Sequence, residues 1–389
     1  MTARRRLVII GLLVLVSAAA VAAFFWTRRD APQPQARVQS VVEAADSSSF
    51  ARATGPQPLN FPADYGPHPD YQTEWWYYTG NLTGEDGRHF GYQFTLFRRA
   101  AEPPSERKVR QSDWSADQIY MGHFALTDVA GDRYMAFERF SRGAAGLAGA
   151  QAEPYGVWLE DWQVEETAPG VTRLRAAAGD VSIDLNLTDT KGPVLQGDRG
   201  YSQKGPDPGN ASYYYSLTRL ATDGTISVGQ TAFPVTGLSW KDHEYSTSAL
   251  APDQVGWDWF AIQLDDGSEL KAFHIRKADG SIDPFSAASF VDADGTITRL
   301  GRDDFQIEVK DTWRSPHSGG EYPSQWTVTV PSLDLTLDIE PWLADQELNV
   351  SYAYWEGAVK VTGTRAGKPV SGNGYVEMTG YAGSMQGQF

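Results

Sequence analysis

From residue 59 onward the sequence alternates with a period of two. Phe90, Tyr92, Phe94 and Leu96 are separated by smaller or polar residues. Val181, Ile183, Leu185 and Leu187 enclose Ser182, Asp184 and Asn186, and Leu333, Leu335, Leu337 and Ile339 enclose Asp334, Thr336 and Asp338. Successive side chains of a strand point to opposite faces, so each run has one dry face and one wet face. Amphipathic helical patterns of any length are scarce. Asp-Gly pairs at 86–87, 223–224, 266–267, 279–280 and 294–295 supply the chemistry of tight turns. The expected fold class is therefore all-β and antiparallel. The 13 Trp, 18 Tyr and 17 Phe, with 38 Gly and 22 Pro, agree with it.

A chain of 389 residues is long for one ordinary domain and fits two. A weak internal repeat supports two β units. Tyr77-Tyr78-Thr79-Gly80-Asn81-Leu82 precedes a turn at Gly87 and a strand ending near Arg98. Trp259-Phe260-Ala261-Ile262-Gln263-Leu264 precedes a turn at Gly267 and a strand ending near Arg276. Closed barrels would remove the exposed edges that so many strands create. The boundary is expected between 235 and 236, giving domains 59–235 and 236–389.

The N-terminus is of another kind. Arg4, Arg5 and Arg6 precede an uncharged run from Leu7 to Thr27, followed by Arg28 and Arg29. Roughly 20 apolar residues can span a bilayer, and a basic start before an apolar run also reads as an export signal. Residues 1–29 are thus expected to be a signal peptide or a signal anchor, with the bulk of the chain outside. Residues 30–58, rich in Pro, Gln, Ala and Ser, read as a flexible linker. The first 30 residues hold five Arg and one Asp, which leaves 28 basic and 48 acidic residues and a net charge of −20 for the rest. Such a body does not bind nucleic acid non-specifically and stays off anionic lipid unless tethered. A periplasmic or otherwise extracytoplasmic location is expected.

Three runs concentrate reactive and aromatic groups. In Leu238-Ser239-Trp240-Lys241-Asp242-His243-Glu244-Tyr245, strand alternation puts Trp240, Asp242 and Glu244 on one face and Lys241, His243 and Tyr245 on the other. The Leu238–Trp240 face is expected to be the interior one. Two carboxyls in an aromatic cavity would be desolvated, which raises a carboxyl pKa towards neutrality. For His243 and Tyr245 to join them the strand must bulge. In the run from His68 to Tyr78, the consecutive aromatics Trp75, Trp76, Tyr77 and Tyr78 after Glu74 cannot all face one core, so some line a cavity or a domain contact. Trp257 and Trp259 fall on one strand face and suit an apolar ligand, a sugar or a cation. His123, in an apolar strand, is either a ligand contact or a satisfied structural group.

Other chemistries lack a signal. With no cysteine there is no disulfide, thiolate site or cysteine nucleophile. The six histidines form no His-x-x-x-His or His-x-His pair, so no metal site is expected. There is no Gly-x-Ser-x-Gly elbow, Walker motif or dinucleotide fingerprint.

Four separated motifs carry a family resemblance: Phe61-Pro62 through His68-Pro69-Asp70 to Thr73–Gly80, His123–Asp128, Trp240–Glu244 and Gly372–Tyr381. In that order they resemble the AttH / carotenoid 1,2-hydratase family, in its branch of secreted hydrolase-like proteins. The resemblance covers about residue 59 to the C-terminus. It implies two consecutive lipocalin-like antiparallel β-barrel domains and no cofactor. The family's activity adds water to a terminal isoprenoid double bond, and related proteins guide pericyclic cyclisations. Alkene hydration needs an acid, a cavity that tolerates a carbocation, and a placed water. The resemblance implies Asp242 or Glu244 as acid, His243 and Tyr245 holding water, and Trp240, Trp257 and Trp259 facing the cation. Glu74, Trp75, Trp76, Tyr77 and His123 are the further expected ligand contacts. The expected partners are an apolar small molecule or lipid and, through the N-terminal segment, a membrane. A non-catalytic lipid carrier or tethered chaperone and a carbohydrate-binding protein are the alternatives.

Overall fold

The computed structural model describes residues 49–107, 112, 116–247 and 250–385. The expected signal or anchor segment lies outside these residues. Among the described residues no helix is long and apolar enough to cross a membrane.

Nearly all regular structure is antiparallel β. The first sheet contains β1 (Thr73–Gly84), β2 (His89–Ala100), β3 (Gln118–Asp128), β4 (Arg133–Arg142), β5 (Ala148–Gln151), β6 (Gly156–Leu159), β7 (Trp162–Ala168), β8 (Val171–Ala178), β9 (Val181–Asp189), β10 (Val194–Leu195), β11 (Tyr201–Gln203), β12 (Ala211–Val228) and β13 (Thr231–Ser246). The second contains β14 (Gln254–Leu264), β15 (Glu269–Lys277), β16 (Ala287–Val291), β17 (Ile297–Leu300), β18 (Gln306–Arg314), β19 (Glu321–Val330), β20 (Leu335–Pro341), β21 (Glu347–Asn349), β22 (Ala353–Arg365) and β23 (Lys368–Met378). The first runs β4-β3-β2-β1-β13-β12-β9-β8-β7-β6-β5 and curls until β4 approaches β6, a nearly closed barrel. The second runs β17-β16-β15-β14-β23-β22-β20-β19-β18 and is a half-barrel.

Each sheet wraps its own apolar core. Trp76, Tyr78, Phe94, Trp162 and Leu185 fill the first, and Phe260, Trp326, Leu337, Trp355 and Val376 the second. A third cluster, with Tyr77, Trp240, Trp259, Phe273 and Tyr375, lies between the sheets. Polar groups reinforce that contact. Buried Glu269 of β15 accepts from Lys191 at 2.7 Å and from Arg219, both contributed by the first sheet's segment.

Several expectations need correction. The boundary at 235/236 falls inside β13; the change of sheet lies between Ser246 and Gln254. Pro234 lies within this strand. It is tolerated because β1 pairs only as far as Val235, so from there β13 has a partner on its β12 side alone. Asp223-Gly224 is no turn. It continues β12, and a Cβ on Gly224 would come within 2.2 Å of the Asp184 carbonyl oxygen on β9. Leu333 belongs to a short 3-10 helix before β20 rather than to the strand. Residues 49–58, expected as linker, pack on the first barrel: Phe50 and Ala53 are buried and Tyr213 donates to the Gly55 carbonyl at 2.9 Å. The other four Asp-Gly pairs are turns, each glycine having positive φ.

One end of the first barrel is tied by Glu74, which is fully buried. Its Oε2 accepts from Arg98 Nε of β2 at 2.9 Å. Its Oε1 meets His68 Nδ1 and His243 Nε2 of β13, both at 2.8 Å. Burial pushes this carboxyl up, but Arg98 and the two imidazoles overcome it and hold it well below the usual carboxylate range. A carboxylate only accepts, so His243 Nε2 donates and its Nδ1 accepts from Tyr215 at 2.9 Å. Burial pushes His243 down to about 4, consistent with this neutral form. His68 faces Asp64 with its other nitrogen at 2.9 Å, so both its nitrogens donate; these partners outweigh burial and raise its pKa. Removing one member leaves a buried charge uncompensated, at a cost of about 3–5 kcal/mol. Urea unfolding of Arg98→Met is therefore expected to lose about that much stability; a loss under about 1 kcal/mol would show that the network is not the anchor described.

Candidate active site

Alternation along β1 and β13 decides what faces the gap between the sheets. On β1, Trp76 and Tyr78 point into the first barrel while Trp75 and Tyr77 point towards the second sheet. On β13, Asp242 and Glu244 face the gap, whereas Lys241 and His243 point inward, where each meets Tyr215. The face was expected to be interior; it is an aromatic cavity wall, but between the barrels rather than inside one. β13 keeps unbroken register with β1 from Val235 to Ser246. The irregularity beside this site lies in β12, between Leu217 and Leu220, so β13 keeps its alternation and His243 and Tyr245 do not join the two carboxyls. His243 serves the Glu74 network, and Tyr245 stacks on His68 at 3.5 Å.

The cavity between the barrels has a volume of about 160 Å³. Aromatic residues dominate its walls: Trp75, Tyr77, Tyr214, Trp257, Trp259 and Phe273. Trp76, His123 and Trp240 stand outside it. Trp76 stacks against His243 at 5.0 Å inside the first barrel. His123 is fully buried, held by Tyr354 at 2.6 Å and Glu138 at 3.1 Å, a satisfied structural group behind the wall. Trp240 backs Asp242, donating its indole N–H at 2.7 Å. Glu74 lies on the barrel side of β1, away from the cavity.

Among the described residues, three carboxyls reach this apolar space: Asp242, Glu244 and Glu377. Asp242 accepts from Ser216 at 2.5 Å, from Trp240, and from Tyr214, whose hydroxyl in turn accepts from Trp259 Nε1 at 3.1 Å. Burial pushes the Asp242 carboxyl up, against these donors and the field of Lys271. Glu244 is paired with Lys204 at 3.1 Å and accepts from Ser212.

Glu377 was not singled out from the sequence. It lies on β23, between Val376 and Met378, which enter the second core. Directly across the ladder is Glu356 of β22, buried and bonded to Tyr77 at 2.7 Å. Two adjacent buried carboxyls cannot both ionise. Burial, then the neighbouring Glu377 charge, raises Glu356 well above the carboxylate range, so it holds its proton. Burial lifts Glu377 to about 7, although Trp257 Nε1 donates to it at 2.6 Å. An acid that exchanges its proton near neutrality thus lines an apolar cavity.

The internal repeat places these acids. In each sheet the first strand lies between its hairpin partner and the last strand: β1 between β2 and β13, β14 between β15 and β23. Tyr77 and Trp259 occupy matching repeat positions. Tyr77 is opposite Asp242, and Trp259 is opposite Glu377. The matching amides each reach the other sheet: Asn81 donates to the Gly374 carbonyl at 2.9 Å, Gln263 to the Thr218 carbonyl at 2.7 Å. The barrel and the half-barrel face each other through corresponding surfaces, and each supplies one carboxyl opposite its repeat aromatic.

A family model described as AttH-like matches residues 52–381. The crystal structure of an AttH-type protein from Nitrosomonas europaea is 36% identical, with a TM-score of 0.76, covering 85% of this chain and all of that one. Kievitone hydratase from Nectria haematococca is 14% identical with a TM-score of 0.65, covering 88% of this chain and 98% of that one, a likeness of fold. The dehydratase asqC of Emericella nidulans is 23% identical over 222 residues, which are 55% of this chain and 57% of that protein. The chain thus spans little more than half the length of this curated relative. With the expected motifs, the two antiparallel sheets and a match across most of its length, the chain belongs to the AttH-like family.

Proposed function

We propose that the inter-barrel cavity binds the end of an apolar isoprenoid or lipid ligand and adds or removes water by carboxyl proton transfer. The observation that carries this reading is Glu377, a carboxyl near neutral pKa beside the protonated Glu356, opening into an aromatic cavity. Hydratases and dehydratases among the relatives support it. The volume supports a terminal unit rather than a whole long chain. About 150 Å³ holds one benzene-sized group. The rest of a longer ligand would extend out of the cavity.

In the hydration direction Glu377 gives its proton to one alkene carbon. A C–H bond forms as the π bond breaks, and the positive charge falls on the more substituted carbon. The π-faces of Trp75, Trp257 and Trp259 favour that cation. Water attacks it and passes a proton to a carboxylate: either the spent Glu377, which restores the acid directly, or Asp242, which then gives a proton to solvent while Glu377 takes one up. Asp242 and Glu244 are retained from the expected acids; His243 and Tyr245 are replaced as water-holding groups by Tyr214 and Ser212, which stand on the cavity wall. The apolar run from Leu7 to Thr27 is read as holding the protein at a membrane on its outer side.

Incubating the protein with an acyclic terpenoid alkene in ¹⁸O-water is expected to give a labelled tertiary alcohol. Glu377→Gln and Asp242→Asn should each slow it by about 10²–10⁴-fold. Full activity in both variants would exclude acid chemistry at this site. Stability should depend on pH through the same group. A carboxyl at about 4.3 when unfolded and about 7 when folded binds more protons in the native state. Its contribution is complete below the unfolded value and is lost as pH rises through about 7. Urea midpoints should fall over that interval, and less steeply in Glu377→Gln; equal slopes would contradict the assignment. Retention of tagged full-length protein in membranes after a high-salt wash tests the anchor, and release into the wash would refute it.

A further inference from the structure

Lys204 lines one corner of the cavity and Lys271 lies against two of its wall rings; the acid chemistry uses neither. Lys204 Nζ lies 4.6 Å from the ring centre of Phe273 and 5.2 Å from that of Tyr214. Lys271 Nζ lies over the same rings, at 4.2 and 4.4 Å. Both rings line the cavity. The lysines differ in their partners. Lys204 is paired with Glu244 and its side chain is 22% exposed. Lys271 is 2% exposed, and among the described residues it has no ion pair and no hydrogen bond. Strand geometry aims it there: on β15, Lys271, Phe273 and Ile275 share the face towards the gap, while Leu270 and Ala272 enter the second core.

A buried amine beside a second cation loses its proton easily, and a neutral lysine in an apolar pocket is a nucleophile. Burial, then Lys204, pushes Lys271 down to about 7, against the opposing fields of Asp242 and Glu244. We propose that Lys271 is an imine-forming lysine that captures an apolar aldehyde or ketone in the inter-barrel cavity. The Nζ lone pair attacks the carbonyl carbon, and a C–N bond forms as the C=O π bond opens onto oxygen. The oxygen takes the nitrogen's proton to give a carbinolamine. The hydroxyl takes a proton from water and leaves as water, and the nitrogen gives its remaining proton back to water on forming C=N. Amine and carbonyl compound give imine and water, with no oxidant or reductant. The inference rests on the cavity being the ligand site, but not on alkene hydration.

The test is reductive trapping. Full-length protein is incubated at pH 7 with citronellal and sodium cyanoborohydride, and adducts are located by intact mass and peptide mapping. One adduct per chain is expected, on Lys271, formed at least tenfold faster than on any other lysine. Lys271→Arg and Lys271→Met, checked for folding by circular dichroism, should lose it, and citronellic acid should not protect. Labelling spread over surface lysines, or undiminished in folded Lys271→Arg, overturns the proposal. Protection by citronellic acid with no adduct also overturns it, since Lys271 would then be an ammonium counter-ion for a carboxylate. Running alkene hydration in parallel separates the two readings. Hydration without trapping removes only the imine, and trapping without hydration removes only the acid chemistry.

Discussion

The buried Glu74 carboxylate is the fixed point of the first barrel. It joins β1 to β2 through Arg98, to β13 through His243, and to the preceding segment through His68. Arg98 extends the tie to the carbonyls of His68 and Tyr71, both at 2.9 Å. Charge this deep is tolerable only when every partner is present. The network therefore sets the register and tilt of β1 and β13. Once those are set, alternation leaves no choice about the opposite face. Trp75, Tyr77, Asp242 and Glu244 must look out towards the second sheet. The polar anchor on one side of the ladder positions the reactive groups on the other without touching them.

The cavity between the sheets uses low polarity in two ways. It keeps Glu356 protonated and Glu377 poised, and it weakens the hold of Lys271 on its proton. Carboxyl and amine are pushed towards neutral forms by the same loss of water. Aromatic walls allow this, since they exclude water yet offer π-faces to a cation. Elsewhere along the contact between the sheets lysines are paired, Lys204 with Glu244 and Lys191 with Glu269.

Much of the fold was legible in the sequence. The alternation at Phe90–Leu96 and Val181–Leu187 reads directly as β2 and β9, and the four aromatics from Trp75 divide between two apolar surfaces as their spacing requires. The site was legible only where its residues are neighbours in sequence. Asp242 and Glu244 could be placed together because residues two apart on a strand share a face. Glu356 and Glu377 could not, because only the β22–β23 register puts them opposite each other. Glu377 did leave a trace, a carboxyl alternating with Val376 and Met378 inside a recognisable motif. The misplaced boundary has a similar cause: that β13 runs unbroken from Thr231 to Ser246 follows from its pairing with β1 and β12, not from its neighbours in sequence.

The matching positions of Asp242 and Glu377 have a consequence for what the two halves can do. In an isologous contact between two copies of one chain, the paired acids are identical in residue and surroundings. Here both halves belong to one chain, and that constraint is absent. One carboxyl sits among hydroxyl and indole donors, while the other sits beside a second carboxyl. The halves are unequal, so the donor and the acceptor of a proton need not be the same kind of group.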